Sequence, residues 1–126
     1  MEKKIIVVDD ETHIRLLLEE ALEDVLDHGV KIFTAKNGRE GLELIKKETP
    51  NLVFLDVMMP EMNGYEVCKA VRSSEELNGT YIVMLTAKGQ LQDKVSGALS
   101  GADEYMTKPF DPDMILEKAK AVLHLL

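Results

Sequence analysis

Three uninterrupted apolar runs constrain this chain most: Ile5-Ile6-Val7-Val8, Leu52-Val53-Phe54-Leu55 and Tyr81-Ile82-Val83-Met84-Leu85. A strand with one face in water alternates apolar and polar residues. A run without alternation suits a strand buried on both faces, as in a parallel sheet covered by helices. Each run stops at a residue with chemistry to offer: Asp9-Asp10, Asp56 and Thr86. A fourth, shorter and weaker run, Glu104-Tyr105-Met106, precedes Lys108-Pro109. Parallel strands gather their C-terminal ends on one edge, where open α/β sheets bind ligands. Three carboxylates, a hydroxyl and an ammonium would meet there, a set suited to a divalent cation and a phosphoryl group.

Between these runs the apolar spacing becomes helical. Ile14, Leu17, Leu18, Ala21, Leu22 and Val25 predict a helix over 12–26, and Val30 to Phe33 predicts a second strand. Asn37-Gly38 opens a second helix, with Leu42 and Ile45 inward and Pro50 as its stop. Residues 64–72 predict a third helix, and Leu91, Val95, Ala98, Leu99 and Ala102 a fourth. Asp111-Pro112 reads as an N-cap followed by proline at the first helical position. It opens a fifth helix marked by Ile115, Ala119, Val122, Leu123 and Leu126. Five strand–helix repeats predict one α/β domain over residues 1–126, a doubly wound parallel sheet with helices on both faces.

Composition removes several function classes. No apolar run reaches the length of a membrane span, and Met1-Glu2-Lys3-Lys4 leading straight into a strand-like run sets the expectation of no signal peptide. The net charge of −8 argues against non-specific nucleic-acid binding, which needs a basic stripe. Cys68 is the single cysteine, so no internal disulfide forms, which fits a reducing cytoplasm. Its expected place is a buried helix face beside Val67 and Val71. His13, His28 and His124 fall in separate elements without ligand spacing, which disfavours zinc.

The acidic string Asp9-Asp10-Glu11 is costly at a strand end, because packed like charges oppose ionisation. Solvent exposure or a bound cation relieves it. Alone, such a string is more often the acidic start of a helix than a metal site. Asp56 changes that reading, because a flavodoxin-like strand order, 2-1-3-4-5, sets the first and third strands side by side. Asp10 and Asp56 would then ligate Mg²⁺ (Mn²⁺ being an alternative) with the main-chain carbonyl of Met58, and Asp9 would act through water or complete the set. Asp56 is also the candidate nucleophile, forming an aspartyl phosphate. Lys108 would neutralise phosphoryl oxygens and Thr86 would donate a hydrogen bond to one of them. The nine-residue connection from Asp56 to Gly64 is longer than most and carries Met58, Met59, Pro60 and Met62, as functional loops do.

With these residues in place the chain resembles a response-regulator receiver domain of two-component signalling. The resemblance spans essentially all 126 residues. It rests on Val7-Val8-Asp9-Asp10-Glu11, Leu55-Asp56-Val57-Met58-Met59-Pro60-Glu61-Met62-Asn63-Gly64, Leu85-Thr86-Ala87 and Thr107-Lys108-Pro109-Phe110. It implies a regulatory switch rather than an enzyme. Asp56 would accept a phosphoryl group from a histidine kinase or phosphotransfer protein. A conformational change would follow on the face of the fourth helix, fifth strand and fifth helix, with Thr86 and Tyr105 as the switch pair. The resemblance also implies a cis Lys108-Pro109 bond. It implies a downstream effector or fused output domain, and leaves room for a homodimer formed on phosphorylation. Fast-resetting chemotaxis regulators typically carry an amide and an acid where this chain has Met58 and Lys88, so those positions bear on signal lifetime. Two other phosphate-handling classes compete. An FMN carrier wants a hydroxyl- and glycine-rich loop after the first strand. An aspartyl-phosphate phosphatase wants an Asp-x-Asp pair and a cap insertion. Whether the chain stands alone or forms part of a larger regulator is open.

Overall fold

Apolar side chains at consecutive positions of one strand point to opposite faces of the sheet, so the buried runs supply two cores at once. The structure, a computed structural model, describes residues 2–87 and 101–125. Five strands form one sheet: β1 (Lys4–Val8), β2 (Lys31–Ala35), β3 (Leu52–Asp56), β4 (Tyr81–Ala87) and β5 (Glu104–Lys108). The order is β2-β1-β3-β4-β5 and every pairing is parallel, the flavodoxin-like arrangement expected. Ile6, Val8, Val53, Leu55, Ile82 and Met84 face α2 (Gly38–Glu48) and α3 (Gly64–Arg72), meeting Ile45, Val67, Cys68 and Val71. Ile5, Val7, Leu52, Phe54, Val83 and Leu85 face α1 (Thr12–Ala21) and the C-terminal helix (Pro112–Val122), meeting Leu18, Leu22, Ile115 and Ala119. Helices therefore cover both faces. Cys68 is buried in the first of these cores.

Local signals explain where the helices begin. Asn37 caps α2 by accepting from the Glu40 amide at 2.8 Å. Asn63 and Glu66 close a reciprocal capping box at the start of α3. Asp111 caps the C-terminal helix, which has Pro112 in its first turn.

Three predicted boundaries are corrected. The first helix stops at Ala21, not 26, and a 3₁₀ segment, Glu23–His28, follows it up to Gly29, whose φ is 78°. Leu22 and Val25 are both buried, but a spacing of three serves a 3₁₀ turn as well as an α-helix, so periodicity could not separate them. Leu17, part of the apolar spacing that predicted this helix, is 44% exposed. The second strand runs from Lys31 to Ala35, because its limits follow backbone pairing with β1, Lys4 opposite Lys31 through Val8 opposite Ala35, and not its apolar residues. The C-terminal helix ends at Val122, and His124 takes φ 57° as the Leu125 amide turns back to the Lys120 carbonyl at 2.8 Å. The fourth predicted helix, apart from Ala102, and Lys88 lie outside the described residues.

Candidate functional site

The strand order decides which chain ends meet. β1 and β3 are neighbours, with Val8 opposite Leu55, so Asp9 and Asp56 leave the sheet side by side. Asp9 is fully buried and Asp56 is 5% exposed, whereas Asp10 and Glu11 face solvent. The Asp9 carboxylate accepts from the Glu11 amide at 2.9 Å, and the Asp9 carbonyl accepts from the Arg15 guanidinium at 2.6 Å. Both contacts fold the acidic string over the start of α1. Carboxylate oxygens of Asp9, Asp10 and Glu11 lie within 4.8 Å of one another. The positive end of the helix dipole moderates their repulsion.

Lys108 closes the arrangement. It ends β5, two strands away from β3, opposite Ala87 of β4. Its flexible stem reaches across β4, and the ammonium donates to Asp9 Oδ2 at 2.9 Å and Asp56 Oδ1 at 3.2 Å. The Lys108-Pro109 bond is cis. Thr86 is buried near the end of β4, one residue beyond the partner of Asp56. Tyr105 is half-buried and packs against the core on the α2–α3 side. The Met58 side chain is 61% exposed.

The electrostatics follow from this packing. Burial pushes the Asp56 carboxyl up to about 7, the Asp9 charge pushes the same way, and Lys108 opposes both. Burial alone would lower the Lys108 ammonium, but the hydrogen bond to Asp9 and the charges of Asp56 and Asp9 outweigh it and leave it raised. The acidic groups thus outnumber the cations between them, and Asp56 ionises reluctantly in a metal-free site. Clustered hard oxygen donors with excess negative charge fit a small divalent cation such as Mg²⁺. Spacing did not reveal Arg15, which reads as an ordinary helix-surface residue, nor the neighbourhood of Gly38 described below.

The family model for the response regulator receiver domain matches residues 5–120. The chain belongs to the response regulator receiver family. This receiver domain is 46% identical over 123 residues to the alkaline phosphatase synthesis transcriptional regulatory protein PhoP of Bacillus subtilis, covering 98% of this chain and 49% of that one. It is 43% identical over 122 residues to the probable transcriptional regulator ycf27 of Porphyra purpurea, covering 97% and 48%. The chain thus spans about half the length of these curated relatives. Among solved structures, the chemotaxis response regulator CheY4 of Vibrio cholerae superposes with a TM-score of 0.84 at 34% identity, covering 97% of this chain and 99% of that one. Among the described residues, no helix is long and apolar enough to cross a membrane.

Proposed function

We propose that this receiver is a phosphorylation-controlled switch whose acceptor is Asp56. The supporting observation is the Lys108 ammonium held between Asp9 and Asp56 at the sheet's C-terminal edge. An ionised Asp56 oxygen forms a bond to phosphorus, and the P–N bond to the imidazole of a kinase or phosphotransfer-protein phosphohistidine breaks. The imidazole nitrogen keeps the electron pair and takes up a proton. Asp10 and Asp56, with the main-chain carbonyl of Met58, would hold Mg²⁺ or Mn²⁺, and Asp9 would act through water or complete the set. When bound, the ion supplies positive charge for the phosphoryl oxygens and favours the ionised form of Asp56. The Lys108 ammonium pairs with one phosphoryl oxygen, and the Thr86 hydroxyl donates a hydrogen bond to another.

The signal then leaves the site. Thr86 drawn inward frees space for the Tyr105 ring, and only the phosphate's different contacts in the two states shift the population. The reader is a downstream effector or a fused output domain in the cytoplasm, with homodimerisation as one route; the longer relatives above are named transcriptional regulators. The decisive experiment exposes the protein to acetyl phosphate with Mg²⁺, traps the acyl phosphate with borohydride and maps the peptide. Asp56 should carry all the label, and EDTA or Asp56→Asn should abolish it. Label on another aspartate, or labelling without a divalent ion, would overturn the assignment.

Signal lifetime should depend on positions 58 and 88. Met58 offers only a weak sulfur acceptor, and a protonated lysine has no acceptor for the attacking water. Decay of phosphorylated protein after donor removal should be about tenfold faster in Met58→Asn with Lys88→Glu, equivalent to about 1.4 kcal/mol of restored water positioning. A double variant that decays at the wild-type rate would free both positions of that role.

A further inference from the structure

The connection from Asp56 to α3 carries the Met58 carbonyl, and its course is set by close contacts between backbones. At its start, the Val57 amide donates to the Leu85 carbonyl at 3.1 Å. At its end, the Gly64 amide returns to the Val57 carbonyl at 2.9 Å. A β-carbon at Gly64 would lie 2.4 Å from the Asp56 carbonyl oxygen, so only glycine lets α3 begin there. Between these pins Glu61 holds a left-handed φ of 67°, a conformation that β-carbon sterics disfavour. The middle of the connection rests on α2. A β-carbon built on Gly38 would lie 2.0 Å from the Met62 carbonyl oxygen and 2.9 Å from its carbon. Both opposing atoms are backbone, so no rotamer change could relieve the overlap.

We propose that Gly38 is a positioning residue for the phosphorylation site: the bare first turn of α2 seats the Met62 peptide and thereby sets the path of the Met58–Met62 segment that presents the metal-binding carbonyl. The inference rests on the proposed function and extends its site to a helix that contributes no ligand. Gly38 touches neither Asp56 nor the acidic string in the contacts above; it acts through Met62. Position 38 lies in the first turn of a helix, where alanine is a better helix former than glycine. A loss in Gly38→Ala would therefore not come from a weaker α2. Displacing a reacting centre by about 1 Å can cost a hundredfold.

The test compares wild type, Gly38→Ala, Gly41→Ala and Gly79→Ala. The atoms nearest a β-carbon at Gly41 would be those of the Val8 side chain, from 2.7 Å, and one at Gly79 meets nothing within 4 Å. Mg²⁺ affinity is read by calorimetry on the unphosphorylated protein, and labelling by acetyl phosphate is measured across Mg²⁺ concentrations. Gly38→Ala should keep cooperative unfolding, bind Mg²⁺ ten- to a hundredfold more weakly and need correspondingly more metal for labelling. Gly79→Ala should match wild type, and Gly41→Ala should lower stability more than metal affinity. A folded Gly38→Ala with wild-type Mg²⁺ affinity overturns the proposal. Should that variant not fold, amide NMR of wild type decides: a shift at Gly38 on Mg²⁺ addition, exceeding that at Gly41, supports it, and a silent Gly38 overturns it. A wild type that neither binds Mg²⁺ nor labels overturns both this inference and the function it rests on. A responsive wild type matched by Gly38→Ala overturns this inference alone.

Discussion

Lys108→Met should slow acetyl phosphate labelling of Asp56 at saturating Mg²⁺ by roughly a hundred- to a thousandfold, the range found when a preorganised donor to a developing anion is removed. The side chain is 17% exposed and its ammonium lies between two carboxylates of still lower exposure, so solvent cannot replace it. Methionine keeps much of the stem's packing, which confines the change to charge and hydrogen bonding. The metal-free variant should also be less stable by about 3 kcal/mol at pH 8, because removing one partner strands buried charge. At pH 5 the loss should be smaller, since Asp56 then carries its proton. Single-turnover labelling and denaturant unfolding at both pH values measure these effects. Labelling within threefold of wild type would remove Lys108 from phosphoryl transfer.

The second large effect is a stability that falls as pH rises. The Asp56 carboxyl titrates near 7 in the metal-free fold, against 3.8 ordinarily. Between those values the folded chain keeps a proton that the unfolded chain has released. Folding therefore binds protons, and stability declines through this window by about 1.4 kcal/mol per pH unit at most. The full contribution of Asp56, present below pH 3.8 and gone above about 7, sums to at most about 4 kcal/mol. Asp56→Asn cannot ionise and should lack this component, so its advantage over wild type should grow from pH 4 to pH 7 and then level off. Saturating Mg²⁺ should flatten the wild-type curve, since an ion that binds only the folded state stabilises it by mass action. Chemical denaturation of both proteins in EDTA across that range measures the difference. Parallel curves would mean that Asp56 ionises normally.

Both predictions depend on features that differ in how far the sequence revealed them. The buried runs, their order and the residues at their ends were legible because strand and helix periodicities are local, and because a parallel sheet necessarily collects those ends on one edge. The caps at Asn37, Asn63 and Asp111 carry local signals of the same kind. Element limits were less legible. Leu22 and Val25 suit either helix type, and Thr34-Ala35 joins β2 only through the ladder to β1.

The amino-acid sequence by itself thus determined the five strands, the two-faced core and the acidic, hydroxyl and ammonium groups at the strand ends. Tertiary structure alone decided that Lys108 spans β4 to reach Asp9 and Asp56, that Asp9 is buried while Asp10 is exposed, and that the Gly38 backbone lies close against the Met62 carbonyl. Desolvation, ion pairing and steric fit depend on distances between residues far apart in the chain. Spacing along a sequence carries no measure of those distances until the sheet has brought the residues together.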